Sequence, residues 1–117
     1  MIQITPQMRI FVAVEPADFR KGIDGLAQVC RQVLEQDPFS GYLFIFRNKR
    51  ANAIKILAFD GQGFWMCQKR LSRGRFNFWP DNGNTPTKRL AAHELQLLIW
   101  NGNPDVNVAP MWRKISG

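Results

Sequence analysis

The spacing of apolar positions along the chain predicts a series of short strands. Residues 8–14 (MRIFVAV) form an apolar run, and residues 42–46 form an unbroken one that is typical of a strand buried on both faces. Residues 53–59 and 64–70 follow as two more strands, and residues 75–79 (RFNFW) alternate as a strand does. Turn-forming residues separate the segments. Successive strands joined by turns predict an antiparallel, meander-like sheet of about five strands.

Two segments with helical spacing complete the predicted fold. Asp18 suits a helix N-cap because its carboxylate can accept backbone N–H groups of the first turn, and apolar residues then recur every three or four positions to Leu34. Gly22 and Gly25 are interpreted as close packing of this helix on a strand. A shorter helix is predicted over about residues 91–100. The whole is a single α+β domain over residues 1–104, with one long packed helix, a shorter C-terminal helix, and a weakly structured tail over residues 105–117.

Composition adds a strong positive charge to this picture. The 117 residues carry a net charge of +7, and the 45% apolar content is too high for a disordered chain. The basic residues concentrate between positions 47 and 75, where Asp60 is the only acid. A folded basic surface favours a polyanion. Nucleic acid is the favoured partner over an anionic membrane or an acidic protein, because the cations lie in hairpin-like segments and not on an amphipathic helix.

The meander would bring the basic residues together at one end of the sheet. Turns 47–52 and 72–75 are first and third in order, so they project from the same end. The predicted rim would contact nucleic-acid phosphates, with salt-dependent and weakly sequence-specific binding. It comprises Arg47, Lys49, Arg50, Lys69, Arg70, Arg73 and Arg75. The alternative is a hairpin edge whose charge only resists aggregation. Arg20 and Lys21 form a separate patch, for DNA or for a protein partner.

Other candidate chemistry is weak. Trp65 and Trp79 are candidates for base stacking, although most aromatics in so small a chain must be core. His93 is the only histidine and has no evident catalytic or metal-binding partner, and Asp60 before Gly61 is typical of a turn. No catalytic residue, metal site or cofactor is therefore predicted, and a nuclease depending on Asp60 is a remote alternative.

The cysteines and the apolar runs predict the cellular location of the protein. Cys30 and Cys67 lie in apolar patterns, which favours reduced thiols in a cytosolic protein and leaves a disulfide between them open. The first residues lack a basic region followed by a long apolar core, and no run reaches about 18 apolar residues. We therefore expect a cytoplasmic protein with no membrane contact.

Four blocks of sequence resemble a known family. They are residues 18–27 (DFRKGIDGLA), residues 37–50 (DPFSGYLFIFRNKR), residues 54–64 (IKILAFDGQGF) and residues 69–80 (KRLSRGRFNFWP). In order and spacing, over about residues 8–100, they are similar to the TnpB-type, Orf2-like accessory protein of the insertion-sequence family numbered sixty-six. One departure is that the Gly-Asp usual after the basic turn is Ala51-Asn52 here.

The resemblance implies a process more than a mechanism. It implies a non-enzymatic accessory protein of DNA transposition, encoded beside a separate transposase that carries the catalytic acids. Two functions agree with it. In the first, the basic rim binds DNA and assists the transposase. In the second, the protein is an adaptor that binds the transposase without touching DNA. The oligomeric state is not indicated by the sequence.

Overall fold

The computed structural model describes residues 8–81 and 84–100, which form five strands and two helices. The strands assemble into one sheet in the order β4-β3-β2-β1-β5. In chain order the elements are β1 (Ile10–Ala13), α1 (Ile23–Gln32), β2 (Leu43–Arg47), β3 (Ala53–Phe59), β4 (Phe64–Arg70), β5 (Thr87–Leu90) and α2 (Ala92–Ile99).

The predicted α+β class is confirmed. The predicted antiparallel meander is wrong in part, because the sheet is mixed. β1 and β2 run parallel, with α1 as the crossover between them, while β2, β3 and β4 form the antiparallel meander. The fifth strand is β5, which pairs antiparallel with the outer side of β1. Residues 75–79 are not a strand. Their alternation has another cause, because Phe76 is buried beside the basic turn and Trp79 packs on the sheet.

Helices cover both faces of the sheet. α1 packs on one face through Leu26, Ala27 and Cys30, and α2 packs on the other through Leu95 and Leu98. β2 is buried on both faces, as its apolar run predicts, because alternate side chains reach opposite clusters. Burying each of its large apolar side chains contributes about 1.5–3 kcal/mol.

The start of α1 differs from the prediction. Asp18 does not cap the helix, which begins at Ile23 after Gly22 as N-cap. The carboxylate of Asp18 instead accepts the backbone N–H of Arg20 at 2.9 Å and so closes a turn before the helix. The predicted close packing of Gly22 and Gly25 on a strand is also wrong, since a Cβ at Gly22 would meet no atom within 4 Å and the atoms nearest to one at Gly25 belong to Lys21. A Cβ there would lie 2.8 Å from Cβ of Lys21, so the glycine makes room for the preceding turn.

The β2–β3 hairpin carries a strained residue at its tip. Ala51 has φ of 58°, in the left-handed region that favours glycine. Asn48 organises the turn, since its side-chain oxygen accepts the N–H groups of Asn52 and Ala53 at 3.0 and 3.1 Å. A glycine at this position would relieve the strain that Ala51 carries.

The remaining predictions on the fold meet the structure in different ways. α2 lies within the predicted range, and Glu94 accepts the backbone N–H of Ala91 at 2.9 Å where a Ser or Thr cap is missing. Cys30 and Cys67 are free thiols and lie on opposite faces of the sheet, which excludes a disulfide between them. The predicted boundary at residue 104 and the tail lie outside the described residues. Within residues 8–81 and 84–100, neither helix has the length and apolar character needed to cross a membrane.

Candidate nucleic-acid interface

A groove crosses the end of the sheet where the β2–β3 turn lies. Its first part, about 450 Å³, lies between residues 16–20 and the turn and is lined by Arg20, Lys49 and Arg50 among others. Its second part, about 340 Å³, continues over β4 to Gln68 and Arg70. The two parts share Phe19, Asn48 and Arg50. We call these two adjoining parts together the basic groove.

Lys55 holds one wall of the basic groove in place. It is 5% exposed, and its ammonium donates to the backbone carbonyls of Phe19 and Lys21 at 3.0 and 3.3 Å. The same ammonium lies 4.8 Å from the ring centre of Phe19, within the range of a cation–π contact. A buried lysine from the middle of β3 thereby fixes the loop that carries Arg20. Ala17 adds a backbone hydrogen bond to the carbonyl of Arg47 at 2.8 Å.

Arg20 reaches the basic groove paired with an acid. Its guanidinium binds both carboxylate oxygens of Asp18, with a shortest distance of 2.9 Å. The side-chain and backbone hydrogen bonds from Arg20 lower the pKa of Asp18 to about 2. Asp18 is therefore ionised at neutral pH and offsets part of the charge that Arg20 brings. The remaining positive field comes chiefly from Lys49, Arg50 and Arg70, which are exposed.

The two predicted basic turns do lie at the same end of the sheet. The N–H of Leu71 bonds the carbonyl of Asn52 at 2.8 Å, and the N–H of Phe76 bonds the carbonyl of Ala51 at 2.7 Å. The loop that carries Arg73 and Arg75 is thereby tied to the β2–β3 turn. Both arginines are exposed. Their contact with DNA stays a prediction.

Two residues of the predicted rim, Arg47 and Lys69, lie outside the basic groove. Arg47 is half-buried, donates to the carbonyl of Val14 at 3.1 Å, and lies 5.6 Å from the ring centre of Trp79. Its Nε is buried with no hydrogen-bond partner among the described residues. Lys69 lies on the α2 face of the sheet and donates to the carbonyl of Ile99, at the end of that helix. The structure therefore separates both side chains from the basic groove.

Lys21 is exposed beside the groove, and its place in the fold is set by its backbone. Its carbonyl is one of the two that Lys55 binds, while its side chain lines a cavity between α1 and residues 13–18. The separate patch predicted for Arg20 and Lys21 is thus divided, because Arg20 alone lines the basic groove.

The two candidate stacking residues differ in exposure. Trp79 is half-buried, packs against the α2-side core and donates its indole N–H to the carbonyl of Ala13 at 2.9 Å. Trp65 is 46% exposed, but it lies at the opposite end of β4 from the basic groove. Its indole N–H donates to Asp60 at 2.7 Å. Neither ring lines the basic groove.

Asp60 has the turn role that the sequence predicts. One carboxylate oxygen accepts the backbone N–H groups of Gln62 and Gly63, each at 2.9 Å, and the other accepts the indole of Trp65. These hydrogen bonds lower the pKa of Asp60. His93 is exposed in the first turn of α2. In residues 8–81 and 84–100 the His, Cys, Asp and Glu side chains form no group of three that could hold a metal ion.

Sequence reasoning missed the contribution of the 16–20 loop to this site. The signal was present in the order of elements, since a strand, a helix and a second strand favour a parallel unit with its loops at one end. Lys55 also gave a signal. A lysine within an otherwise apolar strand, AIKILAF, has to find polar partners if it is buried.

The fold and the groove define a class of protein: a small basic α+β domain whose cations converge at one end of a mixed sheet. Comparisons of the sequence then give the family. The profile of the family described as IS66 Orf2-like protein matches residues 8–105. The chain belongs to this family, which points to an accessory protein of insertion-sequence transposition.

Two curated relatives from Sinorhizobium fredii (strain NBRC 101917 / NGR234) are similar to the chain. "Uncharacterized protein y4jC" is 39% identical over 99 residues, which cover 85% of this chain and 83% of the relative. "Uncharacterized protein y4hO" is 38% identical over 80 residues, covering 68% and 69%. No solved structure matches the chain.

Proposed function

We propose that this protein assists insertion-sequence transposition by binding the DNA backbone in the basic groove. The observation that carries the proposal is that cations from distant parts of the chain lie close together in space. Three segments far apart in the sequence bring Arg20, the pair Lys49 and Arg50, and Arg70 to the two adjoining parts of the basic groove. Guanidinium and ammonium groups are the usual ligands of phosphate, and cations along a groove match a chain of phosphates.

The groove suits the DNA backbone better than the bases. Its cations are exposed side chains, and the amide side chains of Asn48, Asn52 and Gln68 line it beside them. Asn48 is committed to the turn through hydrogen bonds to Asn52 and Ala53. Phosphate contacts position a protein on DNA without reading its sequence. We therefore propose binding with steep salt dependence and weak sequence preference.

The test compares two double variants that remove the same charge. Arg50→Ala with Arg70→Ala removes two cations from the basic groove. Arg9→Ala with Arg31→Ala removes two from the other end of the molecule, where Arg9 lies on Tyr42 and Arg31 on Phe39. Binding to a labelled duplex from an element end, and to a scrambled duplex, is measured across a salt series. The groove variant should bind more weakly and reduce the slope of log K against log salt by about 1.8, from about 0.9 per phosphate contact.

Three results would decide between the functions. Equal weakening by the two double variants would mean that net charge alone attracts DNA, and the groove would lose its role. Preference for the element end would add sequence readout. If the unaltered protein binds neither duplex at low salt, direct DNA binding is refuted and the protein–protein adaptor takes its place. The adaptor predicts a stable complex with the transposase of the same element.

A further inference from the structure

In the described part of the chain, β4 forms an open edge of the sheet. All seven of its residues pair with β3, and β4 is the terminal strand in the sheet formed by residues 8–81 and 84–100. Proteins commonly protect such edges with short strands, bulges, prolines or central charges. β4 has an unbroken register and carries Trp65, Met66 and Cys67 in its first half and middle, with its charges only at Lys69 and Arg70.

The backbone groups that β4 turns outward can be assigned from two hydrogen bonds. Leu71 N–H bonds Asn52, and Gly63 accepts the N–H of Asp60, so the odd-numbered residues of this strand bond toward β3. The N–H and C=O groups of the even-numbered residues therefore point away from the sheet. These are Phe64, Met66, Gln68 and Arg70.

We propose that two copies of this protein pair antiparallel through β4 and join their sheets into one. Antiparallel pairing of a strand with its own copy requires a two-fold axis. The register that uses the whole of β4 places Cys67 opposite Cys67 of the second copy. The outward groups of Met66 then bond those of Gln68 in the second copy, and Phe64 bonds Arg70 in the same way. This proposal goes beyond the proposed function and does not depend on DNA binding.

The side chains along β4 favour a second copy as the occupant. In this register Trp65 lies opposite Lys69 of the second copy on the α2 face, and Phe64 lies opposite Arg70 on the α1 face. Each cation thus meets an aromatic ring, a pairing that attracts, and no two cations lie opposite each other. An acidic extended peptide would find cations only at one end of β4. The second copy complements the strand over its full length.

The same pairing would leave open the first part of each basic groove, between residues 16–20 and the β2–β3 turn, while the second part, at Gln68 and Arg70, would border the second copy. Each groove lies at the Arg70 end of its own β4, and antiparallel pairing sends these ends in opposite directions. The dimer would carry the two grooves at opposite ends of the joined sheet.

The first test changes one residue in two directions. Trp65→Glu and Trp65→Lys both remove the exposed ring and its hydrogen bond to Asp60, so their effects within one copy are matched. Glu at this position would lie opposite Lys69 of the second copy and attract it, whereas Lys would repel it. Sedimentation equilibrium of the reduced full-length protein should show a dimer. Trp65→Lys should weaken its dissociation constant at least tenfold relative to Trp65→Glu, and adding Lys69→Glu to Trp65→Lys should restore it.

The second test fixes the register with disulfides. Cys30→Ala leaves Cys67 as the only cysteine, at a site where antiparallel residues that share no hydrogen bonds have Cα atoms about 4.5 Å apart, close enough for a disulfide. Diamide removes two electrons and two protons from the paired thiols, so a covalent dimer should form. The control has Trp65→Cys with Cys67→Ser in the same background. Its thiols would lie on the order of 13 Å apart along the strands and should not couple.

Each outcome bears on the proposal. If the protein is a monomer at high micromolar concentration, the proposed dimer is overturned. A monomer is also the result expected if another segment of the same chain covers β4. A dimer that is equally stable in Trp65→Lys and Trp65→Glu, and that forms no Cys67 disulfide, would also overturn it by assigning the interface to another surface. Efficient coupling of the cysteine at position 65 would refute the register.

Discussion

Ala51 offers a sharp test of how the β2–β3 turn is built. A left-handed conformation costs a residue with a Cβ about 1–2 kcal/mol, and glycine avoids this cost. Glycine also gains freedom in the unfolded chain, which costs about 0.4–1 kcal/mol of stability. Both backbone hydrogen bonds of Ala51, to Asn48 and from Phe76, remain available to glycine. We therefore expect Ala51→Gly to raise the free energy of unfolding by about 0.5–1 kcal/mol.

The measurement is urea unfolding with a thermal scan beside it. A gain of this size should raise Tm by about 2–4 °C in a domain of this length. The control is Ala58→Gly in β3, which lacks a positive φ and should lose stability because glycine weakens a strand. Glu35→Gly is the matched positive case, since Glu35 has φ of 55° after α1. If Ala51→Gly and Ala58→Gly lower Tm alike, the left-handed turn at position 51 is wrong.

Two further predictions concern the wall of the basic groove. Lys55→Met should lower the free energy of unfolding by about 1–3 kcal/mol, because the carbonyls of Phe19 and Lys21 lose a charged donor. Urea unfolding measures this, with exposed Lys49→Met as the control that should change little. The pKa of Asp18 lies near 2 and below its ordinary 3.8, so its stabilising contribution is present above pH 3.8 and declines as the pH falls toward 2. Urea midpoints between pH 5 and 2 should show this loss in the unaltered protein and a smaller one in Asp18→Asn.

The sequence predicted the strands that have strong apolar patterns. The runs that became β2 and β3, and the antiparallel turns that follow them, were predicted correctly because a buried strand leaves a long apolar signature. β5 was missed because TKRL has one buried apolar residue, Leu90, and is otherwise polar. Residues 75–79 were wrongly predicted as a strand for the opposite reason. Phe76 and Trp79 pack against the rest of the domain, so the segment has an apolar pattern although it does not pair in the sheet.

The candidate site was predictable only in part, for a physical reason. The two basic turns were placed at one end by the alternation of strand direction, which is a local rule. The position of Arg20 at the basic groove depends on the parallel pairing of β1 with β2 and on the hydrogen bonds of Lys55. Both are contacts between residues far apart in the sequence. The inward turn of Arg47 depends on Trp79, more than thirty positions away. Charge counted along a sequence does not show which cations face solvent.

The position of β5 means that a shortened fragment of the domain would lack part of its sheet. β1 lies between β2 and β5, so a strand near the start of the chain gains its second neighbour only from residues 87–90. A fragment ending before Thr87 would contain every cation of the basic groove, yet it would leave the buried strand β1 as an open apolar edge, which favours aggregation. The long-range closure also favours slow, cooperative folding. The proposed binding to DNA would thus be tied to completion of the whole sheet, and a shortened copy of the gene would supply no working piece of it.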